Sequence, residues 1–279
     1  MTFGRYVCVN TSSRRAPVRL TRILRSALLA AVLSAPGAAA AAAQEASPVV
    51  AAASDLQFAV SEVAEAFRQE TGQEVRLAFG STGNFARQIR EGAPFQIFMA
   101  ADERFIEELH RDGFTRDAGV LYAVGRIVVK VPPGSALTAD GTLESLRRAL
   151  AEGRITRFAI ANPEHAPYGM RAREALIHAG LWEDLQPFLV LGENVSQAAQ
   201  FALSGNAEGG IIALSLSLAP QLRDLGTADL IPEEYHQPLR QRMVLLNGAG
   251  EAAQAFYSYM AQPAARAIMA RHGFVLPAE

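Results

Sequence analysis

Val120-Leu121-Tyr122-Ala123-Val124-Gly125-Arg126-Ile127-Val128-Val129-Lys130-Val131 decides how this chain is organised. The stretch is apolar and β-branched, as strands are. Strands usually hold about 5–6 residues, and this run is longer, with Gly125 inside it and Pro132-Pro133-Gly134 ending it. A segment that leaves one α/β module and enters another explains the length, the interruption and the stop together. A single doubly wound sheet of similar size is the alternative.

The flanking sequence repeats one pattern on each side. Before the stretch, Val49–Ala53, Val75–Phe79 and Phe95–Ala100 read as strands, and Leu56–Glu70, Phe85–Arg90 and Asp102–Arg111 as helices stopped by Gly72, Gly92 and Gly113. After it, helices are expected over Leu143–Glu152, Gly169–Ala179 and Ser196–Leu203, and strands over Arg157–Ala161, Phe188–Leu191 and Ile211–Leu214. Met243–Leu246 reads as a further strand, and Glu251–Met260 and Pro263–Arg271 as closing helices. The βαβαβα order predicts mostly parallel sheets covered by helices. The expected fold is α/β, with two lobes joined by crossover strands. Residues 44–126 and 239–279 would form lobe I, and 127–238 lobe II.

The first 43 residues read as an export signal. A basic stretch from Arg14 to Arg25 precedes the short apolar run Ala27–Leu33 and an alanine tract ending at Ala43. The apolar run is too short for a membrane span, which takes about 20 residues. Cleavage near Ala43 would leave 236 residues beginning at Gln44. The only cysteine, Cys8, lies in the leader, so the exported chain can form no disulfide, thiolate metal site or cysteine nucleophile. The leader carries six arginines and no acid, leaving 20 basic against 28 acidic groups, a formal charge of −8. That sign gives no general attraction for nucleic acid or an anionic membrane.

Four turns share one design, in which a strand ends, a Ser, Thr, Asn or Pro-rich turn follows, and a helix begins. They are Ala53-Ser54-Asp55, Gly80-Ser81-Thr82-Gly83-Asn84, the segment from Asn162 to Gly169, and Gly192-Glu193-Asn194-Val195-Ser196. Such turns lie at the carboxyl edge of open α/β sheets, where ligands bind. Each helix start offers unpaired N–H groups and the positive end of a dipole. Together they predict an anion site with no Lys or Arg in the four turns. Any one of them alone is an ordinary N-cap. The five histidines, His110, His165, His178, His236 and His272, do not stand at zinc spacing. Ser54 lacks a Gly-x-Ser-x-Gly elbow. An enzyme is not expected.

The same residues carry a resemblance. Ala51-Ala52-Ala53-Ser54, Phe79-Gly80-Ser81-Thr82-Gly83 before Ala86-Arg87-Gln88-Ile89, Gly92-Ala93-Pro94 with Phe98-Met99-Ala100-Ala101-Asp102, Pro163-Glu164-His165-Ala166-Pro167-Tyr168-Gly169 and Arg271-His272-Gly273-Phe274 together resemble the periplasmic molybdate-binding proteins of ABC importers, the ModA family. The resemblance implies a type II periplasmic binding fold that closes on a tetrahedral oxyanion, molybdate or tungstate. It implies no cofactor, a monomer, and a permease partner in the inner membrane. Ser54 and Thr82, with Ser81 beside it, would supply hydroxyl and backbone donors. Asp55 and Ala101 would add backbone N–H groups from lobe I, and Tyr168 and Val195 from lobe II. Molybdenum would be held only as its oxyanion, through Ser54, Thr82, Tyr168 and Val195, with no protein atom on the metal. The Asp55 carboxylate is expected to turn away from the ligand.

Two positions depart from the family pattern. Ala213 stands where some members carry a tyrosine whose hydroxyl reaches the anion, and Gln96 replaces the usual aspartate after Ala-Pro-x. The alternative reading is a receptor for sulfate, thiosulfate or phosphate, with Asp55 available as an acceptor for a protonated anion.

Overall fold

The structure, a computed structural model, describes residues 47–278. The leader read at residues 1–43 lies outside the described residues. The first lobe opens with β1 (Val49–Ala53), a short 3-10 turn over Ser54–Leu56, α1 (Gln57–Thr71), β2 (Arg76–Gly80), α2 (Thr82–Arg90), β3 (Ile97–Ala100), α3 (Glu103–Arg111) and β4 (Val120–Gly125). The second lobe holds β5 (Ile127–Val131), α4 (Glu144–Ala151), β6 (Phe158–Ala161), α5 (Pro167–His178), α6 (Trp182–Leu185), β7 (Leu189–Gly192), α7 (Val195–Leu203), β8 (Gly209–Ala213), α8 (Leu214–Ser217) and β9 (Thr227–Leu230). The chain then returns to the first lobe as β10 (Leu239–Leu245), α9 (Glu251–Tyr259) and α10 (Pro263–Arg271).

The two sheets have one plan. The first runs β2-β1-β3-β10-β4 and the second β7-β6-β8-β5-β9. In each, three parallel strands come first, followed by an antiparallel fourth. Four of the five strands in each sheet therefore run in one direction, and one, β10 or β5, is reversed, so the sheets are mostly parallel but mixed. The parallel trios come from helix crossovers, whereas β10 and β5 arrive straight from the connections between lobes, which impose no parallel direction. The long stretch at Val120–Val131 divides as its glycine suggested, with Gly125 ending β4 in one sheet and Ile127 starting β5 in the other.

Small apolar strands set how closely the helices pack. Val50, Ala51 and Ala52 of β1 are fully buried between β2 and β3, as a central strand covered on both faces must be. The closing helices pack back on α1. The Phe67 ring lies 5.3 Å from both Phe256 and Tyr259, edge-on, an arrangement worth about 0.5–1.5 kcal/mol per pair beyond burial. Gln96 finds a role of its own, its side-chain oxygen accepting from Gly250 N–H at 2.8 Å at the start of α9.

Some elements were not foreseen. α2 begins at Thr82 rather than Phe85, and α5 at Pro167 rather than Gly169; proline suits the first helical position because no N–H is needed there. The four-residue helices α6 and α8 and the fully exposed strand β9 were missed. No helix among the described residues is long and apolar enough to cross a membrane.

Candidate functional site

The four turns singled out in the sequence meet. Ala53, Ser54, Asp55, Gly80, Ser81, Thr82 and Ala101 from the first lobe face Ala166, Pro167, Tyr168, Asn194 and Val195 from the second, around about 190 Å³ of space free of protein atoms. All seven residues expected at the site are among them. Among the described residues no lysine, arginine or histidine lines the space.

The donors follow from helix geometry. The first N–H groups of an α-helix have no partner within it. Thr82 and Val195 hold the first positions of α2 and α7, and Tyr168 the second position of α5, after a proline with no N–H. No backbone hydrogen bond among the described residues uses the N–H of Thr82, Tyr168 or Val195. Three dipoles thus point their positive ends at one space.

The caps separate two roles. Asn194 is an ordinary N-cap, its side-chain oxygen accepting from Gln197 N–H at 3.1 Å. Ser81 occupies the same position before α2 but makes no cap bond. Its hydroxyl instead donates to the His165 carbonyl at 2.7 Å across the cleft and also lies 2.7 Å from His165 Nδ1. The Gly83 N–H donates to that same carbonyl at 2.9 Å. This approach needs a glycine, because a Cβ at position 83 would stand 2.6 Å from the His165 carbonyl oxygen.

The hydroxyls are held by acceptance, which leaves their protons to point elsewhere. Thr82 Oγ1 accepts from Ala101 N–H at 3.1 Å. Ala101 therefore orients the Thr82 hydroxyl, and its own N–H is spent on that bond. Ser54 Oγ accepts from Ser196 N–H at 3.3 Å, and Ser196 Oγ donates to the Ser54 carbonyl at 2.8 Å. Both hydroxyl groups belong to almost fully buried residues.

Asp55 is the ionisable group of the lining. Its Oδ2 accepts from Tyr168 OH at 3.0 Å and from Gln241 Nε2 at 2.6 Å. Tyr122 OH donates to the other end of Gln241 at 2.7 Å. Oδ1 is buried and has no partner. Burial pushes the Asp55 carboxyl up to about 6, against the lowering effect of the Gln241 and Tyr168 bonds. Burial likewise holds the Tyr168 and Tyr122 phenols well above their usual range. The sequence reading missed Gln241 and Tyr122, which lie far from Asp55 along the chain and carry no local motif.

The site can bind a small, compact anion through uncharged donors and can discriminate by size. The Ser54 hydroxyl meets Ser196, not a histidine, and the Ser81 hydroxyl, although 2.7 Å from His165 Nδ1, spends its proton on the His165 carbonyl. No group of three or more His, Cys, Asp or Glu suited to a metal ion occurs among the described residues.

Comparison with known proteins agrees with this geometry. Residues 48–275 match the family described as bacterial extracellular solute-binding protein. The molybdate-binding protein ModA of Azotobacter vinelandii is 35% identical over 230 residues, covering 81% of this chain and 89% of that protein. ModA of Rhodobacter capsulatus is 32% identical, covering 81% and 87%. The solved structure of the Azotobacter vinelandii periplasmic molybdate-binding protein superposes with a TM-score of 0.75 at 32% identity, covering 83% of this chain and all of that one.

Proposed function

This chain belongs to the bacterial extracellular solute-binding proteins, in the molybdate-binding ModA family, and from that premise we propose that it captures molybdate, or tungstate, and delivers it to an ABC permease of the inner membrane. It is a solute-binding protein and not an enzyme, as its relatives are. The oxyanion is its cargo, not a cofactor.

One observation carries the reading. Unpartnered N–H groups from helix starts in both lobes, with the Ser54 and Thr82 hydroxyls, surround one small space that no basic side chain enters. A hydrogen bond to a charged partner is worth about 1.5–3 kcal/mol. Five such donors, from Thr82 twice and from Ser54, Tyr168 and Val195, hold a tetrahedral dianion without a counter-charge. Ser81 and Ala101 support them by fixing α2 against His165 and by orienting Thr82. The donors divide between lobe I (residues 44–126 and 239–279) and lobe II (residues 127–238), so the anion itself completes the contact between lobes. Export through a leader at residues 1–43, cleavage near Ala43 and a monomeric receptor in the periplasm belong to the same proposal.

A calorimetric titration of the purified protein with molybdate, tungstate, sulfate, thiosulfate and phosphate tests this. Molybdate and tungstate are expected to bind far more tightly than the others. They should also raise the unfolding temperature with concentration, because a ligand of the folded state stabilises it by RT ln(1 + [L]/Kd). Equal affinity for sulfate and molybdate defeats the molybdate reading, and no response to any of the five defeats oxyanion capture.

A further inference from the structure

Asp55 poses a physical problem that anion capture alone does not explain. Asp55 is among the residues that line a cavity otherwise made of donors, and it is 1% exposed. One oxygen, Oδ2, is satisfied by Tyr168 and Gln241. The other, Oδ1, is buried with no donor at all. An ionised carboxylate in that position suffers twice, from an unpaired buried oxygen and from repulsion by the ligand. A protonated carboxyl removes both costs, since Oδ1–H becomes a donor in a site made of donors.

The surroundings favour the neutral form. The titratable groups that act on Asp55 are the Tyr168 phenol from α5 and the Tyr122 phenol from β4, both kept neutral. β10 presents Gln241, while its Arg240 and Arg242 turn to Glu103. Helices α7 and α8, packed against the Ser54–Leu56 turn, contain no ionisable residue. Arg76 of β2 sits at the far end of its strand, pairing with Val49 while Gly80 pairs with Ala53. The first ionisable residue of α1, Glu62, is engaged by Arg271 and His272. Arg126, beside the Gly125 that packs on Tyr168 and Gln241, pairs with Glu233, and among the described residues no cation bonds to Asp55.

We propose that Asp55 sets the specificity of this cavity by taking up one proton from solvent as the oxyanion enters, its Oδ1–H then donating to an oxyanion oxygen. The inference rests on the oxyanion-capture reading and deepens it. The proton comes from the buffer, forms the Oδ1–H bond and leaves with the ligand. It remains on Asp55 for any oxyanion that is a weaker base than this buried carboxyl, so the site selects fully deprotonated dianions. An ionised Asp55 would select the opposite class, anions that bring their own proton. Asn mimics the protonated state, its oxygen accepting from Tyr168 and Gln241 and its amide donating where Oδ1–H would.

Calorimetry of molybdate binding in two buffers of different ionisation enthalpy, near neutral pH, counts the protons. The wild-type protein is expected to take up close to one proton per molybdate, and its affinity to fall up to about tenfold per pH unit between about pH 7 and 8.5. Asp55→Asn is expected to take up none, to lose the pH dependence and to bind more tightly than wild type at the alkaline end. The wild-type count stands whether or not the variant folds. Molybdate binding without proton uptake, or equal uptake by Asp55→Asn, overturns the inference and leaves molybdate capture standing. Tighter binding of hydrogen phosphate than of molybdate, abolished in Asp55→Asn, places the proton on the ligand and also overturns it. If no oxyanion binds, the capture reading fails and this inference fails with it.

Discussion

Two of the clefts between the lobes use opposite chemistry. The one shared by Ser54, Thr82, Tyr168 and Val195 is the smaller, with about 190 Å³ of space free of protein atoms, and its polar lining is amides, hydroxyls and one carboxyl. The neighbouring cleft, reached one residue further on at Asp102, is about 640 Å³ and is lined by Arg104, Arg171 and Arg240 among Asp102, Glu103 and Glu174. Guided by charge alone, one would place an anion in the second. Its arginines are already engaged, however. Asp102 accepts from Arg104 at 2.7 Å and lies 3.5 Å from Arg171, Glu174 lies 3.4 Å from Arg171, and Glu103 holds Arg240 and Arg242. An entering anion would have to displace a carboxylate. In the first cavity the Thr82, Tyr168 and Val195 amides have no protein acceptor among the described residues, so an anion entering there displaces no carboxylate from them.

The largest effect that sharpens this contrast concerns the ionisable group in the neutral cavity. Asp55 holds its proton to about pH 6 in the folded chain, against 3.8 for an ordinary aspartate. Between those values the folded state binds more protons than the unfolded one, so stability falls as pH rises through the window and levels off above it. The shift corresponds to a loss on the order of 3 kcal/mol. Denaturant unfolding of the ligand-free protein at about pH 4.5 and 7.5 is expected to show this slope, and Asp55→Asn to remove most of it. An unchanged slope in the variant means that Asp55 is as hydrated as a surface carboxylate and the cavity is not neutral.

The next effect removes a backbone donor. Val195 is the first residue of α7, a position that tolerates proline because its N–H is unused by the helix. The preceding Asn194 is already extended, with φ −150° and ψ 174°, as a residue before proline must be. Val195→Pro is therefore expected to fold and to lose about 1.5–3 kcal/mol of molybdate binding, the value of one hydrogen bond to a charged ligand. Titration calorimetry reads this directly, and full affinity in the variant removes the Val195 amide from the site.

The four turns that meet at the cavity were legible in the sequence because each is a local pattern, a strand ending in a short polar turn before a helix; the individual donors were implied by the family resemblance alone. The passage of the chain from one sheet to the other was legible for a similar reason, since Gly125 breaks a run too long for one strand. What the sequence hid is long-range or weakly patterned. Gln241 reaches Asp55 from a strand whose alternation, Leu239 buried, Arg240 exposed and Gln241 buried, is masked by the charges of Arg240 and Arg242. Strand β9 is exposed throughout, so no apolar periodicity marks it. The division of labour between Ser81 and Asn194 was equally hidden, because both are good N-caps by residue type. Only the approach of His165 from the other lobe draws the Ser81 hydroxyl away from its helix.

The smallest expected effect is the one best placed to break the comparison. Arg171 is the most buried arginine of the charged cleft, 4% exposed, and it lies on α5, three residues beyond Tyr168. If long-range positive charge assists the oxyanion cavity, this is the residue that supplies it. Its field is opposed by Asp102 and Glu174 at 3.5 and 3.4 Å, and burial lowers its own affinity for a proton. Replacing it, as in Arg171→Met, strands two carboxylates, one of which keeps Arg104. Thermal stability is expected to fall, since removing one partner of a buried pair is destabilising. Molybdate affinity is expected to change less than about threefold, or roughly 0.7 kcal/mol. A loss beyond tenfold in a variant that still folds would mean that the anion is held partly by the arginine behind α5, and that the neutrality of the lining is only local.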